Sequence, residues 1–438
     1  MSWNKVKLGE LLTESRIPCY NPNPDRRIKV KLKVQGVEKR GLENEIEGAT
    51  KQFIRKAGQF IYGKQNFHKG AFGIIPVELD GYESSADLPA FDVSEKCLPE
   101  WIFYYFKQGN YYLELSKIAR GVATQRIHPE QIFDLEIPLP NIETQKEFLA
   151  KIKSLESNGD ELKSELYHQL TLVKKLRQQL LQDAVQGKLV EQNKNDEPAS
   201  ELLKKIKGEK AKLIAEKKLK KEKELPPIKP EEIPFEIPKN WVWCRLGALR
   251  DIRYSLSYGV LVPGNDVPDG IPFIRVQDLD YADKSKIPIK HISPAIDKQY
   301  SKTRLVGGEI LICVVGSIGK VALSSDSWIG ANIARAVCRY MPNQNISRQF
   351  VFYCLTSPFI QNFFQEGKKS INPTLNVNVL ETTLIPLPPF AEQLRIVQKI
   401  DELMLYCNEL EASIKESELQ NEKLLQQVLR EALRKEPV

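Results

Sequence analysis

The side chains best placed for chemistry here are arginine, lysine, asparagine and glutamine on glycine-marked loops. The chemistry they suit is recognition of nucleic acid. In "YGKQNFHKGAFG" (62–73) they are Lys64, Asn66 and Lys69; in "ARGVATQRIHP" (119–129), Arg120, Thr124, Gln125 and Arg126. "RRIKVKLKVQGVEKRG" (26–41) alternates Lys29, Lys31 and Lys33 with apolar residues, which predicts a strand with one basic face, and it ends near Arg40. Further along, "FIRVQDL" (273–279) alternates Arg275 and Gln277 with apolar residues, and Lys320 follows the glycines of "VVGSIGKV" (314–321). "GKKSINPTLNVN" (367–378) then offers Lys368, Lys369, Ser370, Asn372, Thr374 and Asn376. Arginine and side-chain amides form paired hydrogen bonds to base edges, and lysine neutralises phosphate. For any one of these residues, ordinary surface polarity is the plainer account.

Bond-making chemistry finds no such support. "VVGSIGKV" lacks the spacing of a nucleotide-binding P-loop and has Val321 where a magnesium-binding hydroxyl would stand, so a tight turn between strands is expected. "LPPF" (387–390) has the outline of the N-P-P-F tetrapeptide of adenine methyltransferases, but Leu387 cannot hydrogen-bond a base. The prolines suit a strand end leading into a helix. No paired acids with a spaced lysine and no Ser/His/Asp grouping stand out. The seven cysteines are scattered without a C-x-x-C, and the four histidines are isolated, so neither a metal site nor a disulfide framework is expected.

The elements that must hold these loops are legible in a repeat. "IPLPNIETQKEFLAKI" (137–152) returns as "IPLPPFAEQLRIVQKI" (385–400), and the match continues at a fixed offset of 248 to "KLRQQLLQDAV" and "KLLQQVLREAL". An inserted residue would turn a helix's apolar stripe by about 100°, so an ungapped match marks a packed helix. Upstream the copies drift: "WNKVKLGEL" (3–11) resembles "WVWCRLGAL" (241–249), and "FYYF" (103–106) resembles "FYCL" (352–355). The loop 367–374 falls where 119–126 falls in the first copy, so both copies carry a basic or amide loop shortly before the helix.

Residues 141–186 and 389–435 are therefore predicted as long helices, each about 65–70 Å at 1.5 Å per residue. The first carries Phe148, Ile152, Leu155, Leu162, Leu166, Val173, Leu176 and Leu180 at helical spacing. The second carries Ile396, Ile400, Leu403, Leu410, Ile414, Leu424 and Val428. This is a heptad-like seam, interrupted mid-helix at Gly159 and Cys407, at Gln169 and Ser417, and at Asn421 opposite Val173. Antiparallel pairing of the two helices gives one chain pseudo-two-fold symmetry, the geometry for reading two half-sites on duplex DNA.

Composition is compatible with this. The 438 residues carry a net charge of +7 and 42% hydrophobic residues, enough for real cores. The longest apolar run, "ILICVVG", is too short to span a bilayer, and "MSWNKVKLGELL" has no signal-peptide core, so a cytoplasmic protein without membrane partners is expected. Between the copies, 201–224 holds ten lysines against five glutamates and reads as a solvated linker. Residues 225–241 contain five prolines, a stiff connector.

These landmarks resemble the DNA-specificity subunits of type I restriction–modification systems. The motifs are W-x-x-x-x-L-G at the start of each half and "IPLP…EQ…I" at each end, with Thr144 departing from the Glu of that motif. Between the halves, "LLQDAVQGKLV", "NDEPASELLKKIKGEK" and "PFEIPKNWVWCRLG" are characteristic. The resemblance implies an α+β fold with a pseudo-two-fold repeat: two target recognition domains, 1–140 and 241–388, joined by long antiparallel coiled-coil helices within 141–240 and 389–438. It implies that each domain reads half of an interrupted target in double-stranded DNA. It also implies that two methyltransferase subunits dock on the chain and that restriction subunits join through the complex. Catalysis and its S-adenosylmethionine, ATP and magnesium belong to those partners, and no cofactor or metal is expected here. A coiled-coil scaffold without DNA readout, or a fragment of a fused methyltransferase–nuclease, is the alternative.

Overall fold

In the computed structural model, residues 3–41, 51–121, 125–217, 224–280, 290–366 and 374–434 are described. The chain divides into two compact units, Met1–His168 with Ile414–Val438, and Gln169–Ser413. Unit 1 contains strands β1 (Lys5–Lys7), β2 (Leu12–Ser15), β3 (Ile28–Val30), β4 (Val37–Lys39), β5 (Gln52–Ile54), β6 (Phe60–Tyr62), β7 (Phe72–Ile74), β8 (Glu83–Ser85) and β9 (Ala90–Val93). Helices α1 (Pro99–Lys107) and α2 (Pro129–Phe133), strand β10 (Glu136–Pro138) and the start of helix α3 (Ile142–Val185) follow.

Unit 2 begins within α3. It continues with α4 (Ala199–Ala215), β11 (Val242–Arg245), β12 (Ser257–Tyr258), β13 (Ile271–Ile274), β14 (His291–Ile292), α5 (Pro294–Gln299), β15 (Ile310–Cys313), β16 (Val321–Leu323), β17 (Asn332–Ile333) and β18 (Val337–Tyr340). Helices α6 (Arg348–Thr356), α7 (Pro358–Glu366) and α8 (Val377–Thr382) lead to β19 (Leu384–Leu387) and helix α9 (Phe390–Arg434), which belongs to unit 1 from Ile414 onward. Among the described residues no helix is long and apolar enough to cross a membrane.

The same sheet is built twice. Unit 1 has the strand order β2-β9-β6-β7 and unit 2 has β12-β18-β15-β16, all neighbours antiparallel. The inner strands β6 ("FIY") and β15 ("ILIC") are buried along their whole length because both faces are covered. Phe60 and Tyr62 point into one core and Ile61 into another. Ile310 and Ile312 likewise enter one core while Leu311 enters the other.

Each unit then fastens its sheet to its long helix in the same way. The W-x-x-x-x-L-G strand pairs antiparallel with the strand of the repeated segment: β1 with β10, Val6 opposite Ile137, and β11 with β19, Cys244 opposite Ile385. One turn into the helix stands a fully buried glutamine. Gln145 accepts from Leu98 N (2.8 Å), the residue capping α1, and donates to Pro140 O (2.9 Å). Gln393 accepts from Ser347 N (2.9 Å), which caps α6, and donates to Pro388 O (3.0 Å). Tyrosines of the "FYYF" and "FYCL" segments complete the attachment: Tyr104 donates to Glu156 (2.5 Å) and Tyr353 to Asp401.

Within each unit the α3 and α9 segments run antiparallel. In unit 1, Lys163 pairs with Glu422 (2.9 Å) and Asn421 Nδ2 donates to Gly159 O (3.2 Å), while Leu429 packs in the core shared with Phe148 and Ile152. In unit 2, Arg177 pairs with Glu411 (3.1 Å), and Ala184 and Val185 share a core with Ile396 and Ile400.

The seam is narrower than expected. Ile152, Leu166, Val173, Ile400, Cys407 and Ile414 are buried, and Leu180, Leu403 and Val428 are partly so. Leu155, Leu162, Leu176, Leu410 and Leu424 are instead 39–60% exposed. One heptad line on each helix faces inward; the second is buried where it begins, at Phe148 and Ile396, and beyond them is half-buried or exposed. Gly159, Cys407 and Asn421, which interrupt the leucine pattern, belong to the inward line.

Nor is 201–224 simply a solvated linker. The described part forms α4, whose Ala199, Leu202 and Ile206 enter the main core of unit 2. Lys204, Lys205, Lys207 and Lys212 are exposed, while Lys210 turns inward to donate to Ala248 O (3.3 Å) and Gly247 O (3.4 Å). Arg245 clamps the proline-rich segment through Glu232 (2.8 Å) and the carbonyls of Pro227 (3.1 Å) and Pro226 (3.4 Å).

Candidate nucleic-acid interface

In unit 1 the structure joins loops that are distant in sequence. The β6–β7 loop is folded on itself around buried Phe67, with Ala71 N and Lys69 N both donating to Asn66 O (3.0 and 2.9 Å). Its Lys64 O accepts from Ile127 N (2.8 Å), at the end of the 119–127 loop, whose Arg120 and Arg126 form a bridge. Its Lys69 O accepts from Lys33 N (2.9 Å), in the β3–β4 turn. Lys33, Lys69, Arg120 and Gln125 are exposed, with Lys64, Asn66 and Arg126 half-buried beside them. Elsewhere in the unit a buried cation ties strands and loops together: Arg55 donates to Ser84 Oγ (2.7 Å), Ser15 O (2.7 Å) and Leu88 O (3.0 Å). Burial lowers its pKa to about 10, which leaves it charged at neutral pH.

Unit 2 repeats the junction. Leu375 N donates to Val314 O (2.9 Å), as Ile127 N does to Lys64 O, and Thr374 bridges Val315. Tyr62 OH donates to Ile127 O (3.1 Å) in one unit and Tyr258 OH to Leu375 O (3.4 Å) in the other. Each unit therefore pins the residue just before its short helix, Ile127 before α2 or Leu375 before α8, against the loop that leaves its central strand. The "GSIG" segment is the expected turn between β15 and β16, with Gly316 and Gly319 at φ of 74° and 85°.

Several predicted contacts are already engaged within the protein. The single basic strand over 26–41 is a hairpin, β3 with β4, which sets Glu38 opposite Lys29. Glu38 pairs with Lys31 (2.6 Å) and Lys29 (3.6 Å), and the Lys31 hydrogen bond, helped by charge, lowers its pKa despite some desolvation. Arg40, just past β4, is exposed. Arg126 lies 3.7 Å from Asp87. The alternating segment 273–279 is strand only to Ile274, and a 3-10 turn over Val276–Asp280 brings Arg275 Nε to buried Asp278 (3.1 Å), with Gln277 exposed beside it. Lys320 Nζ donates to Val276 O (3.1 Å). Asn376 caps α8 by accepting from Val379 N (2.9 Å), a role its place before "VNVL" announces. Thr124, Lys368, Lys369, Ser370 and Asn372 lie outside the described residues. The acids Glu38, Asp87 and Asp278 escaped the sequence reading; only Asp278, three residues after Arg275, had a local signal.

A family profile described as "Type I restriction modification DNA specificity domain" matches residues 2–172 and again 239–420, once per copy of the repeat. The chain belongs to this family. Among curated relatives it is 28% identical over 336 residues to the type I restriction enzyme EcoBI specificity subunit of Escherichia coli, covering 76% of this chain and 65% of that one. It is 37% identical over 246 residues to the EcoAI specificity subunit of Escherichia coli, covering 55% and 41%. The alignments thus span less than two thirds of these relatives' lengths. In fold it is similar to a chain solved in work on complex assembly and conformational transition of the type I R-M system (TM-score 0.61, 20% identity, 99% and 98% of the two chains covered). It is also similar to the HsdS subunit of Thermoanaerobacter tengcongensis (TM-score 0.56, 19% identity, 99% and 97% covered). The family's doubled domain corresponds to the doubled sheet, glutamine latch and loop junction above.

Proposed function

We propose that this chain is the non-catalytic sequence-reading subunit of a type I restriction–modification complex, working in the cytoplasm. Each unit reads one half of an interrupted target in double-stranded DNA. The observation that carries this reading is the repeated junction, where Ile127 in one unit and Leu375 in the other are pinned to the loop leaving the central strand. Duplication of one platform with divergent loop residues suits two unlike half-sites. The helices α3 and α9 act as a coiled-coil spacer that fixes the unread gap between half-sites. Two methyltransferase subunits dock on the chain, and restriction subunits join through that complex. The exposed leucines of α3 and α9 are the apolar side chains such docking would cover, and covering them removes that area from water. S-adenosylmethionine, ATP and magnesium serve the partner subunits.

The test is single-molecule sequencing of adenine methylation in the native genome, with the gene present and deleted. Loss of one interrupted motif, modified on both strands, is expected on deletion. Duplex binding by the chain with its methyltransferase should weaken steeply with salt, through counterion release. Salt-insensitive or absent binding with methyltransferase present would favour a scaffold without DNA readout.

A further inference from the structure

The turn joining β3 to β4 is strained. Gln35 N donates to Leu32 O (3.3 Å), and between them Lys33 and Val34 have φ of 56° and 58°. Two successive positive φ values mark a type I′ turn, which Asn-Gly or Gly-Gly adopts readily. A lysine and a β-branched valine occupy those places here, and the left-handed conformation strains both because it brings Cβ too close to the following carbonyl oxygen. Strain of this kind persists only where the surroundings over-determine it, and it clusters at functional sites.

The surroundings are specific. Lys33 N donates to Lys69 O (2.9 Å) and Val34 N to Gly70 O (2.8 Å), while the Val34 side chain packs against the unit 1 core. Gly70, at φ 81°, lets the loops meet, since a Cβ there would lie 2.9 Å from both of those amide nitrogens. The turn is thus held rigid on the candidate interface. Val34 accounts for its inner side. Its outer side presents Leu32, 46% exposed, flanked by exposed Lys33 and Gln35, with exposed Lys69 on the adjoining loop. An apolar side chain on a rigid, basic support is the pattern of wedges that proteins insert between base steps.

We infer that Leu32 enters the duplex between two base steps of the half-target read by unit 1, unstacks them and kinks the DNA, with Lys33 and Lys69 on the flanking phosphates. This rests on the DNA-reading function proposed above. A kink of this kind also makes the sequence flexibility of that step part of what unit 1 selects.

The test uses the full chain with its methyltransferase partner, bound to a duplex carrying the motif found by methylation sequencing. 2-Aminopurine is placed at successive steps of each half, outside the methylated adenines, and dyes at the duplex ends report bending. The expected result is a fluorescence rise at one step on binding, together with end-to-end shortening equivalent to a kink of about 20–90°. Leu32→Ala should lose both signals while the motif remains protected from nuclease, and Leu32→Phe should restore the rise. Salt-dependent binding of the motif with no rise at any step would overturn the wedge and leave DNA reading intact. Absence of salt-dependent binding by the unaltered complex would overturn both.

Discussion

At the scale of single residues, the two copies differ most tellingly at the first turn of the long helix. Glu392 in α9 stands where α3 has Thr144, and the adjacent glutamines Gln393 and Gln145 make equivalent latches. Glu392 is buried and accepts from Gln192 Nε2 (2.6 Å), beside the Arg395–Asp196 pair (2.5 Å). Burial raises its pKa, the Trp241, Gln192 and Arg395 side chains pull it part of the way back, and Asp196 adds to the rise. A carboxyl whose folded pKa exceeds its unfolded value contributes stability that is full below the unfolded pKa and is lost as pH rises through the folded one. Glu392→Gln should therefore gain stability relative to the unaltered chain as pH rises above about 4.3. Urea unfolding at a series of pH values measures this; a difference that stays constant with pH would show that Glu392 does not titrate this way. Thr144→Ser, its counterpart in unit 1, should show no such pH dependence.

At the scale of elements, the long helices were legible almost to the residue, because an ungapped amphipathic match leaves little freedom at either end. Which of two apolar lines turns inward was not legible. Heptads place leucine on both, and the choice is made by what each unit's core already occupies. The inward line runs through Ile152, Gly159 and Leu166 on α3 and through Ile400, Cys407 and Ile414 on α9. Ile152→Ala and Ile400→Ala should each cost about 2–5 kcal/mol, as buried truncations do. Leu155→Ala and Leu424→Ala should stay within about 0.5 kcal/mol, as surface changes do. Thermal unfolding of the four variants separates the lines, and equal losses would restore a symmetrical two-line seam. The same two exposed leucines lie on the face proposed above for docking methyltransferase subunits, and on that proposal their variants should weaken co-purification with that partner while leaving stability unchanged.

At the scale of the whole molecule, each platform is closed within its own unit. Unit 1's sheet, its β1–β10 pair and all three candidate loops lie before residue 141, and the attachment across that point runs through the backbone of Leu98, Lys96 and Pro140 and through Tyr104, which a relative with a tyrosine at that place supplies as well. Exchange of residues 1–140 with those of a relative should therefore preserve the attachment to α3. The expected outcome is a genome in which one half of the methylated motif changes while the other half and the gap are retained. A change in both halves would show that the units do not read independently.

The sequence by itself determined the doubling, the two helices, the absence of a recognisable catalytic set and the family. Each of these is written in spacing along the chain, as a fixed offset, a helical period or a missing motif partner. It located the polar loops as well, since glycine and side-chain amides mark turns without help from distant residues. Only the tertiary structure decided which charges remain available. Glu38 reaches Lys29 and Lys31 through strand pairing, Asp87 reaches Arg126 across two loops, and Lys69 meets Lys33 through the close approach at Gly70. A charge's availability depends on its neighbours in space, and those neighbours are chosen by strand register and loop closure.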